Sequence, residues 1–322
     1  MAETGDRTSR MGVRLVPRRR YRVAAEFAGR ARDGLAQGRS AEVEADARSV
    51  MAAHADTAPA GEPYLTARQN LVFAIGNLGR HREAAQEATG LLDAIIPVFG
   101  SRNTKVISLR INRAGQFSAL ARYDEAEADS LAAIEDSRHL WPNSEADRFG
   151  FMAASTHVSL LDRRGLYTEA EALARSTIRE AESSKVHHVI LAMLRVGLAQ
   201  SLNGQERYAE AERMMRDLRP DQPHRVVSVR NQLAPAQLGL GLLAEAEATA
   251  RAAVSEGTQV LSPVHYLTLT AGTLLGSALA FQGKLDEAAR QLRENAAAWA
   301  EHFGDEHPSA VAAKTELAKI SR

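Results

Sequence analysis

The chain has 322 residues, of which 45% are hydrophobic and 5% aromatic, with 40 basic residues against 40 acidic ones and no cysteine. That hydrophobic fraction can bury a sizeable interior and excludes wholesale disorder, and the length exceeds what one compact core usually holds. The charge balance removes any general pull toward nucleic acid or membranes, and the lack of cysteine excludes disulfides, thiolate nucleophiles and thiolate metal sites.

The early stretch "MGVRLVPRRRYRVAAEFAGRA" carries Arg14, Arg18, Arg19, Arg20 and Arg22 with no apolar segment behind them. It reads as no signal peptide, and residues 1–22 are expected to form a flexible basic arm. No apolar run approaches the ~20 residues of a membrane span, so the expected location is the cytoplasm. The dominant residues are Ala, Leu, Arg and Glu, the strong helix formers, and strand signals are sparse.

From residue 23 onward one phrase recurs: a small residue, a short gap, then Glu-Ala. The anchors are Gly38, Gly79, Ala121, Gly165, Glu206, Gly241 and Gly283, spaced by 35–44 residues. Four residues beyond them stand Glu42, Glu83, Glu125, Glu169, Glu210, Glu245 and Glu287, and Ala follows each except the first, where Val43 stands. Before the anchors, apolar residues recur at i, i+4 (Leu71 and Ile75, Leu198 and Leu202, Leu275 and Leu279), with a small residue between them at Ala199 and Gly276. That period predicts a helix A ending at each anchor. A helix B begins there, and its alanines (Ala84 and Ala88, Ala170 and Ala174, Ala246 and Ala250) form the groove that receives helix A. The anchor glycine allows the tight turn between them.

Taken along the chain, the first hairpin (23–54) is poorly patterned, as terminal repeats often are. The third and fourth carry Arg113 and His157 where Leu is expected, so those helices either pack less well or hold polar side chains internally. The sixth is short and has Pro235 inside its helix A, which predicts a kink or break. The polar loop "LRPDQPHRV" (218–226) ahead of it is the candidate hinge.

The segments "TARQNLVFAIGNLGRHREA" (66–84), "SLRINRAGQFSALARYDEA" (108–126) and "FGDEHPSAVAAKTELA" (303–318) resemble tetratricopeptide repeats, of the long-helix kind in kinesin light chain and in actinobacterial regulators. The resemblance covers about 23–320 and implies an all-α, right-handed superhelical solenoid of about seven antiparallel hairpins, with helix A lining the concave face. It also implies a non-catalytic scaffold that recognises a peptide or protein segment in that groove, as a regulatory adaptor or sensor. Similar arrays are often joined to DNA-binding or ATPase domains, for which this sequence has no room outside the array, so either a stand-alone adaptor or a detached sensor is expected. The alternative is an enzyme or accessory protein of small-molecule secondary metabolism that uses the superhelix interior as a pocket.

Motifs for chemistry are missing. Among ten histidines, His187 and His188 are adjacent and His302 and His307 are five apart, and neither spacing puts two ring nitrogens on one helical face. "GLAQGRS" (34–40) lacks the Lys and the spacing of a phosphate loop, and neither G-x-S-x-G nor His-Glu-x-x-His occurs. No cofactor or metal, no membrane and no nucleic-acid partner is expected. The candidate ligand contacts are helix A residues: a column of Arg68, Arg110, Arg195 and Arg230 eleven before the anchors, Asn70 and Asn112 nine before, Gln69 and Asn231 beside them, and Met152 and Met193 thirteen before. Arg suits carboxylates, Asn suits peptide backbone and Met an adaptable apolar surface. The competing reading makes the Arg column a structural ladder paired with phased glutamates such as Glu83, Glu125 or Glu210. Met152 and Met193 could likewise be core.

Overall fold

The computed structural model describes residues 18–55, 61–140, 144–184, 188–220 and 222–320. Most of the arm expected over 1–22 lies outside them, and its last residues already belong to the first helix. Fifteen helices make up the described residues, and no strand occurs among them. They pair as α1 (Arg18–Ala36) with α2 (Ser40–His54), α3 (Glu62–Asn77) with α4 (His81–Phe99), and α5 (Thr104–Ala119) with α6 (Tyr123–Arg138). Next come α7 (Ser144–Arg163) with α8 (Tyr167–Ser183), α9 (His188–Gly204) with α10 (Tyr208–Asp217), and α11 (Pro223–Gly239) with α12 (Leu243–Val260). The last pair is α13 (Tyr266–Phe281) with α14 (Leu285–Phe303), and α15 (Pro308–Ile320) caps the stack. This is the expected all-α solenoid of seven hairpins.

Every predicted turn is built alike. All seven anchors have positive φ, including Ala121 (59°) and Glu206 (60°), where no glycine is present. In each, the amide after the anchor bonds the carbonyl five residues back, as in Arg80 N–H to Ile75 O at 3.0 Å and Arg122 N–H to Phe117 O at 2.9 Å. That bond satisfies a carbonyl at the end of helix A and sends the chain straight into helix B. The repeated alanines Ala84, Ala126, Ala170, Ala211, Ala246 and Ala288 are all fully buried, which is why a side chain of that size recurs. The i, i+4 residues of helix A are buried opposite them, and at Gly276 a Cβ would come within 2.4 Å of Leu292.

Three local expectations are now settled. Pro235 does not break its helix: α11 runs through it to Gly239, because the proline falls in the last turns, where only one internal hydrogen bond is lost. Arg113 is held internally by a two-pronged pair with buried Asp129 (2.6 and 2.8 Å) and a bond to Thr89. His157 is buried against Ser130 at 3.0 Å, and burial lowers its pKa.

The stack closes on itself. The turn at Gly38 reaches Val260, and the turn at Gly79 rests on the backbone of Val264 and His265. Leu120 packs against the Trp299–Phe303 cluster, and His307 Nε2–H donates to Ala119 O at 3.0 Å. Hairpins far apart in sequence therefore meet along a seam, and the helix A faces turn inward around a shared interior.

Candidate functional site

The seam is built from histidines. His265 and His307 cap α13 and α15: their Nδ1 atoms accept from Leu267 N at 3.1 Å and Ser309 N at 3.2 Å. Asn103 does the same for α5. His81 lies 5.1 Å from the ring of His265 and 5.4 Å from that of Phe303, and Trp299 stacks on His307. Burial drives the His81 pKa down to about 4, although the Gln116 carbonyl at 2.7 Å partly offsets this, and burial holds His265 well below its ordinary value. Both rings are neutral packing groups. Sequence reasoning treated the histidines as scattered; the signal was the shared position of Asn103, His265 and His307 just before three A-type helices.

Inside the closed stack lies a cavity of about 900 Å³ walled by α1, α3, α5, α7, α9 and α11. Its lining mixes Phe73, Ile190, Met152 and Met193 with Gln69 and Asn70. The Asn70 amide nitrogen is buried without a hydrogen-bond partner. A smaller recess of about 220 Å³ between α5, α7, α9, α11 and α13 shares Met193, His224 and Arg225 with it. Lining positions repeat along helix A at thirteen, ten or nine, six and two before the anchor, as at Met152, Ser155, Thr156, Ser159 and Arg163 on α7. That is one helical stripe.

The stripe accounts for the arginines but not for every predicted site residue, because Asn112 and Asn231 stand nine and ten before their anchors and yet line neither space. Gln69, Asn70, Met152 and Met193 line the large cavity; Arg68, Arg110, Asn112, Arg195, Arg230 and Asn231 line neither space. A residue eleven before the anchor lies roughly 150° round the helix from the stripe. Arg68 pairs instead with Glu87 at 2.9 Å, Arg195 with Glu182 at 3.2 Å, Arg110 with Asp136 and Arg230 with Glu256. Asn112 accepts from Gln116, and Asn231 donates to Leu267 O at 2.9 Å. The arginines are struts, but with different partners from those expected. In an antiparallel hairpin the start of helix A lies beside the end of helix B, out of reach of the glutamates in B's first turn. Glu83, Glu125 and Glu210 pair with Arg80, Arg122 and Arg207 instead.

A ladder that the sequence reading overlooked joins successive hairpins. Glu44, Glu171 and Glu247, six beyond their anchors, reach the basic residue just after the next anchor: Arg80 at 2.8 Å, Arg207 at 2.7 Å and Lys284 at 2.6 Å. Glu171 carries bonds from Arg175, Gln205 and Arg207 that outweigh its desolvation and hold its pKa at about 2. No group of three or more metal-ligating side chains that could hold an ion occurs among the described residues, and none of their helices is long and apolar enough to cross a membrane.

Residues 268–309 match the tetratricopeptide repeat family. No curated protein sequence matches the chain. Among solved structures, a tetratricopeptide repeat protein from Parabacteroides merdae is 17% identical, covers 94% of this chain and 100% of its own, and has a TM-score of 0.52. A Rap protein complexed with competence and sporulation factor is 12% identical, covers 93% of this chain and 88% of its own, and has a TM-score of 0.58. A putative kinesin light chain repeat structure from Podosopora anserina is 16% identical over 74% of this chain and 95% of its own, with a TM-score of 0.35.

Proposed function

We propose that this tetratricopeptide repeat protein is a non-catalytic adaptor or sensor that holds a peptide or protein segment inside its closed superhelix. The observation that carries the proposal is the cavity of about 900 Å³, walled by the inner helices of six successive hairpins. Its size lies in the range of ligand sites, and its lining combines apolar side chains (Phe73, Met152, Ile190, Met193) with polar and charged ones (Gln69, Asn70, Glu62, Lys105) that orient an occupant. The unpartnered Asn70 amide is suited to a backbone carbonyl, which a peptide supplies at every residue. Met152 and Met193 give an adaptable apolar wall. The Rap protein of similar fold was captured with a bound factor, which supports the same use of this architecture. The apolar patch around Met152 and Met193 favours a second reading, in which the occupant is a small molecule rather than a chain segment.

Photo-crosslinking separates these readings. A benzophenone amino acid replacing Phe73 faces the cavity, and one replacing Phe281, 68% exposed, faces solvent. The proposal expects adducts from cells at position 73 but not at 281, with fragment masses of a polypeptide. A small-molecule mass at 73 selects the second reading, and adducts at 281 alone refute both.

A further inference from the structure

The recess of about 220 Å³ has a lining unlike the rest of the groove. It contains Ser118, Ser155, Thr156, Ser159 and Ser228, with Arg163 and Arg225, and no Asp or Glu. The larger cavity has Glu62 on its wall, paired with Lys105, so the acid-free wall of the recess is a local departure.

Arg163 is the centre of it. Its guanidinium lies 4.8 Å from the Tyr266 ring centroid and makes no ion pair or hydrogen bond with any described residue. The ring holds the plane in place and leaves the N–H fork unspent. Ser159 and Ser155 stand four and eight residues earlier on α7, on the same face, and neither hydroxyl has a hydrogen-bond partner among the described residues. Ser118, 6% exposed, reaches in from α5 with its Oγ buried and unpartnered. Buried donors without acceptors are costly, and a free guanidinium beside them makes one kind of guest complementary to all.

We propose that this recess is an oxyanion subsite, which receives a carboxylate or phosphoryl group of the groove's occupant on Arg163, Ser118, Ser155 and Ser159. This deepens the reading of the groove as a binding site by assigning the chemistry of one end of the ligand. The body lies in the larger cavity, and the anionic group passes the shared residues Met193 and Arg225 into the recess. The wall contains no acid to repel it.

The test uses the full chain with inorganic phosphate and acetate as probes, titrated by calorimetry at constant ionic strength, so it needs no knowledge of the partner. Wild type binds at least one anion saturably; preference for phosphate assigns a phosphoryl end and preference for acetate a carboxylate end. Arg163→Gln weakens binding about tenfold or more, and Ser155→Ala with Ser159→Ala weakens it less. Arg68→Gln, which alters a paired strut outside the recess, leaves it unchanged. Circular dichroism checks that each variant is folded, and the serine pair keeps the test open if Arg163→Gln is not, because α7 retains its tie to Tyr266. Absence of saturable binding by both anions, or equal losses for the Arg68 and recess variants, overturns the proposal. Such a failure would leave the crosslinking result at position 73 standing.

Discussion

At the scale of single residues, the shape of the fold is set by what a few positions cannot tolerate. Gly79 (φ 83°) and Gly283 (φ 75°) both sit in the left-handed region, but only Gly79 faces a neighbour: its Cβ would lie 3.0 Å from the His265 backbone nitrogen. Both Gly→Ala changes therefore incur the left-handed penalty of about 1–2 kcal/mol, and Gly79→Ala also pushes on a backbone that cannot yield. Thermal melts are expected to show a distinctly larger loss at 79; equal losses would mean the seam contact is absent. Asp162 gives a second test. Burial raises its carboxyl to about 7, against the bond from Ser201 at 2.7 Å, and its other oxygen is unpartnered. The folded state keeps the proton while the unfolded chain releases it near 3.8, so stability is lost as pH rises from about 4 to 7. Asp162→Asn removes that dependence. Its advantage over wild type is expected to grow from pH 4 to pH 8, reaching a few kcal/mol, roughly 4 at most. His81 acts in the opposite direction, since a folded pKa of about 4 means stability is lost as pH falls from 6.5 to 4. In Asp162→Asn this acid sensitivity is no longer partly cancelled, and melts between pH 4 and 6.5 should become steeper.

At the scale of elements, the hairpin is the unit, and most of it could be read from the sequence. The Glu-Ala phrase located six of the seven turns, and Glu42-Val43 the first, because the residue after Glu must fit where the helices touch and the anchor must reach positive φ. Ala126→Leu or Ala170→Leu overpacks a fully buried contact and is expected to cost roughly 1–3 kcal/mol in chemical denaturation. Unchanged midpoints for both would contradict the packing. The candidate site was only half legible. The thirteen, ten and nine positions place Met152, Met193, Gln69 and Asn70 on the cavity wall, because a stripe repeats as regularly as a core does, but Asn112 and Asn231 at the same positions line neither space. The arginine column repeats just as regularly but faces helix B, and period alone cannot distinguish a face that meets a partner helix from one that meets the groove. Arg163 was invisible because it occurs once. The ladder from Glu171 to Arg207 was missed because its partners lie in adjacent hairpins, each unremarkable within its own.

At the scale of the whole molecule, the proposed binding role depends on closure. An open array presents a concave wall; this one brings its first three turns onto the loops after α12 and α14 and so surrounds the space where Asn70, Met193 and Arg163 point. The seam is made of short loop contacts and neutral histidines rather than a broad helix interface, so it depended on the stacking angle summed over several hairpins, which no local sequence pattern encodes. The chain's lack of cysteine makes closure directly measurable. Spin labels attached through Gln37→Cys and Gln259→Cys, both exposed and flanking the Gly38–Val260 contact, report the distance across the seam by pulsed electron resonance. The account predicts one short, narrow distance distribution. A long or broad distribution would mean an open superhelix without an enclosed groove, and would contradict it.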